Sequence, residues 1–294
     1  MRDFRFGFTL ATPSSPDDLA QTCKLAEAYG YDVAVGVDHL GPTRSAPFQV
    51  ALAAAYCSER MRVGTYVLDI GFWNPMFLAR EVATAVRLTG GRFELGLGTG
   101  VTKAQYDAAG FEWQPFGTRV ERVANTVTAL REHLAESPGV EMPLVMLGGL
   151  GDRMLRVAAA EADIVSFSGR FQVPGQPPAT LRFPTSAETD AQVANYVAIA
   201  GDRSELQERN AFILDVVVTD DRRSAAAAAA EDYAPHVSVE ETLDCPFLLY
   251  GTEQQIATQI LNNRERYGFS YLSVQRPHMD VLGPIIEQVR RLAS

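Results

Sequence analysis

Short strand-like runs alternate with amphipathic stretches along almost the whole chain, and that rhythm admits little besides a parallel sheet covered by helices. The first run, Phe4 to Leu10, leads to Ser15-Pro16, a capping residue with proline behind it, and to a helix that closes on Gly30. Val33 to Val37 is the second strand, and the apolar PFQVALAAAYC suits a buried helix. MRVGTYVL is the third, followed by a helix opened by Asn74-Pro75 in which Leu78, Val82 and Val86 share a face. The fourth lies within GGRFELGLGTG, Gly90 to Gly100. Its helix starts near Arg119, with Val120, Val123, Val127, Leu130 and Leu134 on one stripe. PLVMLGG and ADIVSFS, on either side of the helix GDRMLRVAAAEA, are the fifth and sixth strands. AFILDVVV is the seventh, with a helix over Ala225 to Ala230, and FSYLSV, after the helix TEQQIATQILNNRERYG, is the eighth. A helix carrying Ile285, Val289 and Leu292 ends the chain.

Eight strand-helix units make a (β/α)8 barrel, an α/β fold of the TIM-barrel class, expected to fill residues 1–294 as one domain. A second irregular stretch precedes TEQQIATQILNNRERYG, but the pattern first falters from Gly169 to Asp202. That stretch is rich in Pro, Ser and Thr, with a helix near Ala187 to Ala200, and reads as an insertion shaping a pocket. A doubly wound open sheet is the rival fold, but no G-x-G-x-x-G follows the first strand.

Composition removes several functions. A formal charge of -10, with 26 Lys and Arg that form no run, argues against nucleic-acid binding, which needs clustered cations. No basic segment precedes an apolar stretch at the start, and no apolar run spans a bilayer, so membrane insertion is not expected. Cys23, Cys57 and Cys245 are odd in number, lack C-x-x-C spacing and read as reduced thiols, so a cytoplasmic protein is expected. No histidine pair has metal-ligand spacing and no Gly-x-Ser-x-Gly elbow occurs, so neither a metal site nor hydrolysis is expected.

In a barrel of this kind chemistry collects beyond the C-terminal ends of the strands. Those ends read Asp38-His39, Val67-Leu68-Asp69, Gly98-Thr99-Gly100, Gly148-Gly149, and Ser166 with Ser168. Successive glycines let backbone N–H groups converge on an anion, and a helix N-terminus adds partial positive charge. LGGLGDR, Leu147 to Arg153, meets both conditions, and GLGTG meets the first and adds the Thr99 hydroxyl. Two such loops suit the phosphate end of an extended cofactor, although glycines also serve tight turns alone. His39 is read as the single histidine at a strand end beside a carboxylate, fit for acid–base work or for a structural hydrogen bond. His133, His236 and His278 are assigned surface roles. Trp73 reads as a pocket wall or as core, and Trp113 as a cap on the rim.

Taken in order, VGVDHL, VGTYVLDIGFWNP, LTGGRFELGLGTG, YDAAGFEWQPFGTR, PLVMLGGLGDRMLRVAAAEAD, FLLYGTEQQIATQI and ERYGFSYLSV resemble the luciferase-like monooxygenase superfamily. The likeness is nearest to its branch that uses the deazaflavin coenzyme F-420. It implies a flavin-type ring in the barrel mouth, a hydride transfer to or from a small organic substrate, and a homodimer. It also implies that Asp38 and His39 lie beside the ring, with His39 catalytic, and that Tyr66-Val67 forms a cis peptide bulge behind it. Asp69 would stand at the ring's polar edge, and Thr99, Gly100, Gly148, Gly149 and Gly151 would contact the ribityl phosphate. An FMN-dependent monooxygenase that consumes O2 with a reductase partner, and a non-catalytic flavin-binding paralogue, are the alternatives. Val101 stands where the branch's sugar-phosphate dehydrogenases carry an acidic residue, so sugar-phosphate oxidation is not expected.

Overall fold

In the computed structural model, which describes residues 2–149, 151–173, 175–176, 180–233 and 237–293, eight parallel strands close on themselves. They are β1 (Arg5–Thr9), β2 (Val33–Gly36), β3 (Arg62–Thr65), β4 (Phe93–Gly98), β5 (Leu144–Gly148), β6 (Ile164–Phe167), β7 (Glu208–Ile213) and β8 (Phe269–Val274). Neighbours pair in the order β3-β2-β1-β8-β7-β6-β5-β4, and Val63↔Phe93 with Gly64↔Glu94 closes the ring between β3 and β4. The expected barrel is therefore the observed one.

Local chemistry sets the helix ends. Ser15 accepts the N–H of Asp18, Asn74 that of Met76, and Thr252 forms a capping box with Gln255, each cap contributing about 1 kcal/mol. Between helices and strands lies a continuous apolar layer that includes Phe6, Phe8, Cys23, Leu97 and Ile286. Inside the barrel, Val33, Val35, Met146, Ile164 and Tyr271 form a separate cluster with Tyr66 against it. Among the described residues no helix is long and apolar enough to cross a membrane, and the three cysteines are free. Burial pushes the Cys23 and Cys245 thiols up to about 12.

Four local expectations change. The third strand stops at Thr65, the Tyr66–Val67 peptide is cis, and pairing with β4 resumes through Leu68–Asp69. Thr65 bridges the break, because its hydroxyl donates to the Gly96 carbonyl at 2.9 Å and accepts from the Gly96 N–H at 3.0 Å. The seventh strand begins at Glu208 and ends at Ile213. Leu214 then gives its N–H to the Phe247 carbonyl, and Asp215–Val218 leaves the barrel to pair with Leu248–Gly251. The helix expected near Arg119 starts at Phe116, and a short helix that the sequence reading passed over, Lys103–Ala109, precedes it. The irregular stretch from Gly169 holds a small hairpin, Phe171–Gln172 with Leu181–Arg182, and the helix Ser186–Ala200.

Candidate active site

Asp38 and His39 follow β2 after Val37, and what holds each is a side chain from elsewhere on the rim. One Asp38 carboxylate oxygen accepts the Trp73 indole N–H at 2.8 Å and the Asp69 backbone N–H at 3.1 Å. Burial nevertheless pushes the Asp38 carboxyl above its ordinary range, against the pull of the indole, because both donors are neutral and Asp69 repels it. His39 is exposed, with Nδ1 3.2 Å from the Gln105 amide nitrogen. The other end of that amide is fixed, since Gln105 Oε1 accepts the Leu40 N–H at 2.9 Å. Gln105 therefore donates to Nδ1, and the imidazole proton resides on Nε2. The histidine presents a donor to its surroundings.

Asp69 caps the one-turn helix Ile70–Phe72 and accepts from the Gly71 N–H at 3.0 Å and from the Tyr106 hydroxyl. Burial raises its carboxyl above the usual range, and burial followed by Asp69 raises the Tyr106 phenol. Arg119 is the nearby cation, yet it donates to the carbonyls of Thr99 at 2.8 Å and Gly100 at 2.6 Å while lying 3.8 Å over the Trp113 ring. Its charge thus pins the backbone of the Gly-Thr-Gly loop, and Trp113 serves as its platform.

Tyr66 is half-buried at the floor of the mouth, stacked on Phe212 with ring centroids 5.1 Å apart. Its hydroxyl lies 2.6 Å from Ser166 Oγ.

The glycines divide into two groups. A Cβ at Gly98 would stand 2.5 Å from a Val67 methyl, and one at Gly96 would enter the Thr65 carbonyl. One at Gly100, where φ is +74°, would fall inside the Asp69 carboxylate, and one at Gly149 inside Met154. These four make room for the protein itself, which corrects the expectation that a cofactor arm dictates the bare run Gly98 to Gly100. Gly148 and Gly151 differ: a Cβ there would meet nothing closer than 3.7 Å and 3.6 Å. Gly151 also begins the helix Asp152–Glu161 without a side-chain cap, so its first N–H groups are open to an anion.

The site residues named from the sequence thus all lie at the C-terminal ends of β2 to β5, with two reassignments. Trp73, read as pocket wall or core, commits its indole N–H to Asp38 and packs its ring edge-on against Phe48 at 5.4 Å. His278 is not a surface bystander, and His39 is not alone beside a carboxylate. His278 Nδ1 lies 3.6 Å from Asp215, which also accepts the Tyr250 hydroxyl at 2.8 Å. Asp215 arrives there through the side sheet that no periodicity announced. His133 is in the last turn of its helix, and His236 lies outside the described residues. Gln105 and Tyr106 went unnoticed as partners of His39 and Asp69. Their signal was a lone tyrosine, now buried, in the short polar stretch behind GLGTG. Beside the His39 loop, a hollow of about 570 Å3 is lined by Thr12, Ser14, Val37, Pro42 and Arg44, and by none of the described residues of the 169–202 insertion.

A profile of the family described as luciferase-like monooxygenase matches residues 3–270. An F-420-dependent glucose-6-phosphate dehydrogenase of Nocardia farcinica is 36% identical over 141 residues, which cover 45% of this chain and 42% of that protein. The chain thus matches less than half the length of this curated relative. An F-420-dependent secondary alcohol dehydrogenase, solved with an F-420-acetone adduct, superposes with a TM-score of 0.73 over 98% of this chain and 99% of its own, at 15% identity. A riboflavin lyase solved with modified FMN and riboflavin superposes at 0.76 over 99% and 92%, at 12% identity. At such identities the two structures speak for the fold alone.

Proposed function

The chain belongs to the luciferase-like monooxygenase family, and from that premise we propose that it is a coenzyme F-420-dependent oxidoreductase acting on a small organic substrate. The observation that carries the reading is His39, held through Nδ1 by Gln105 so that Nε2–H is the free donor on the rim that also bears Asp38, Tyr66 and Asp69. The F-420-dependent relatives support the choice of coenzyme. Gly148 and Gly151, which packing does not require, and the uncapped helix start fit a ribityl phosphate.

When bound, the reduced deazaflavin supplies a hydride from its C5 and, lacking the flavin N5, little reactivity toward O2. The residues of the chain supply the rest. Tyr66 and Val67 form the floor, the Asp38–Trp73 contact fixes the β2 loop, and Arg119 fixes the Thr99–Gly100 turn. His39 Nε2–H would hydrogen-bond the substrate atom that becomes negative as the hydride arrives next to it, and water would supply the proton that completes the reduction. Reduction of an activated C=C, C=N or carbonyl group follows, with the hollow beside the His39 loop as the substrate's place. A homodimer goes with this reading, supported by the exposed Tyr56, Met76 and Phe77 on the helices Pro47–Tyr56 and Pro75–Leu88, and so does a cytoplasmic location, supported by the free thiols.

His39→Ala tests it. Turnover should fall at least about 100-fold while the F-420 dissociation constant, read by fluorescence, moves less than about threefold. Unchanged single-turnover hydride transfer removes His39 from the chemistry. Tighter binding of FMN than of F-420 replaces the coenzyme.

A further inference from the structure

Beneath the mouth, four polar side chains run across the barrel from strand to strand. Tyr66 reaches Ser166 at 2.6 Å, Ser166 reaches Asn210 Oδ1 at 2.8 Å, and Asn210 Nδ2 reaches Ser273 Oγ at 2.8 Å and the Tyr271 carbonyl at 3.1 Å. Ser166, Asn210 and Ser273 are 2%, 0% and 0% exposed, so solvent offers them no other partners.

The direction of every bond in this chain follows from one atom. A backbone carbonyl can only accept, so the Asn210 atom facing Tyr271 must be the NH2 group, and turning the amide over would set oxygen against oxygen. Asn210 Oδ1 is then the acceptor facing Ser166, and the single Ser166 hydroxyl proton goes to it. Ser166 Oγ has no proton left for Tyr66, so Tyr66 must donate. The phenol proton points down into the barrel, and the phenol oxygen can only accept from whatever lies over it.

We propose that Ser166 and Asn210 are positioning residues that hold Tyr66 as a hydrogen-bond acceptor toward the mouth, so that the ligand group over Tyr66 is an N–H or O–H donor. The same polarity removes Tyr66 as a hydrogen-bond donor to the ligand and leaves that task to His39 Nε2–H. The identity of the ligand rests on the function proposed above; the direction of the bonds does not.

Two measurements test the proposal. With tyrosine 13C-labelled at Cζ and the signal assigned through Tyr66→Phe, NMR of the apoprotein should show a slowly exchanging Tyr66 hydroxyl proton close to the Ser166 β-protons. That proton should be lost in Ser166→Ala and kept in Ser166→Thr, whose extra methyl has room beside Gly148, where a Cβ would stand 3.7 Å from that of Ser166. In fluorescence titrations with F-420, Tyr66→Phe and Ser166→Ala should bind about 5- to 10-fold more weakly than the parent, and Ser166→Thr like the parent. The absorption band of the bound deazaflavin should shift in Ser166→Ala and return in Ser166→Thr. A hydroxyl proton in fast exchange with water, or parent-like titration and spectrum in Ser166→Ala, overturns the proposal. A parent protein that binds no F-420 overturns the proposed function instead, and the NMR result still decides the polarity.

Discussion

Both ends of the barrel bury carboxylates, and they treat them in opposite ways. At the N-terminal end Glu94, 3% exposed, is shared by Arg5 and by Arg62 at 2.6 Å, and Arg5 also reaches Glu208 at 2.6 Å. Although burial alone would lower it, the Arg5 guanidinium sits above its ordinary range in the field of Glu94. Cation and anion meet directly, and little is left for a ligand. At the C-terminal end, among the described residues, Asp38 and Asp69 receive only an indole, a phenol and backbone N–H groups, while Arg119 spends its donors on carbonyls. Charge neutralised in place stiffens a fold, whereas charge held by neutral dipoles stays available to a partner and burdens the empty protein. The same chemical change, carboxylate to amide, should therefore have opposite signs at the two ends.

The largest effect belongs to Glu94→Gln. Removing the shared anion leaves Arg5 and Arg62 without it, which for partly exposed arginines costs about 3 kcal/mol and lowers the thermal midpoint by roughly 6–12 °C. F-420 binding by the folded protein, measured well below that midpoint, should not change. A midpoint within 2 °C of the parent (roughly 1 kcal/mol or less) would show that the network is too well hydrated to matter.

Gly96→Ala comes next. Its Cβ would enter the Thr65 carbonyl at the break in β3, and overpacking of that kind costs about 1–3 kcal/mol. Chemical denaturation reads this directly.

Asp38→Asn should act the other way. The Asn oxygen can still accept from Trp73 and from the Asp69 N–H, so the geometry survives while the buried charge goes. Burial raises the folded pKa of Asp38 above the unfolded value near 3.8. Between those values the native state binds more protons, so the carboxyl's favourable contribution is complete below the unfolded pKa and is lost as pH rises through the folded one. At pH 7 the variant should be more stable than the parent by about 1 kcal/mol, and the gap should close as pH falls toward 4. A variant that is less stable at pH 7 would put Asp38 in the same class as Glu94 and end the contrast between the two rims.

How far these differences could be read in advance depended on distance along the chain. Strands and helices were legible because burial imposes periods on neighbouring residues: Leu78, Val82 and Val86 announced a helix, and all three are buried on it. The rim was legible for a similar reason, since barrel topology sends every strand end to one face, and so Asp38, Asp69 and Thr99 gathered where their order said they would. Partnerships were not. Nothing near Asp38 in the chain points to Trp73, and nothing near His39 points to Gln105, 66 positions away. The departure of Asp215–Val218 from the barrel was equally hidden, because AFILDVVV reads as one apolar run while its hydrogen bonds change owner at Leu214. The glycines misled by looking alike. Only the space around each tells one that accommodates Val67 from one that accommodates nothing in the protein.

That last distinction gives the smallest effect on stability and the sharpest comparison. Gly148→Ala adds a methyl with ordinary contacts, nearest 3.7 Å from Ser166 Cβ, at a position in β5 whose φ is not in the left-handed region. Stability should change by no more than about 0.5 kcal/mol. If Gly148 is bare because a ribityl phosphate needs its backbone, the same methyl should weaken F-420 binding about 10-fold, whereas Gly96→Ala should lose stability and keep its affinity while folded. The pair thus separates room made for the chain from room made for a ligand. Unaltered F-420 affinity in Gly148→Ala would mean that this glycine answers neither to the fold nor to the coenzyme.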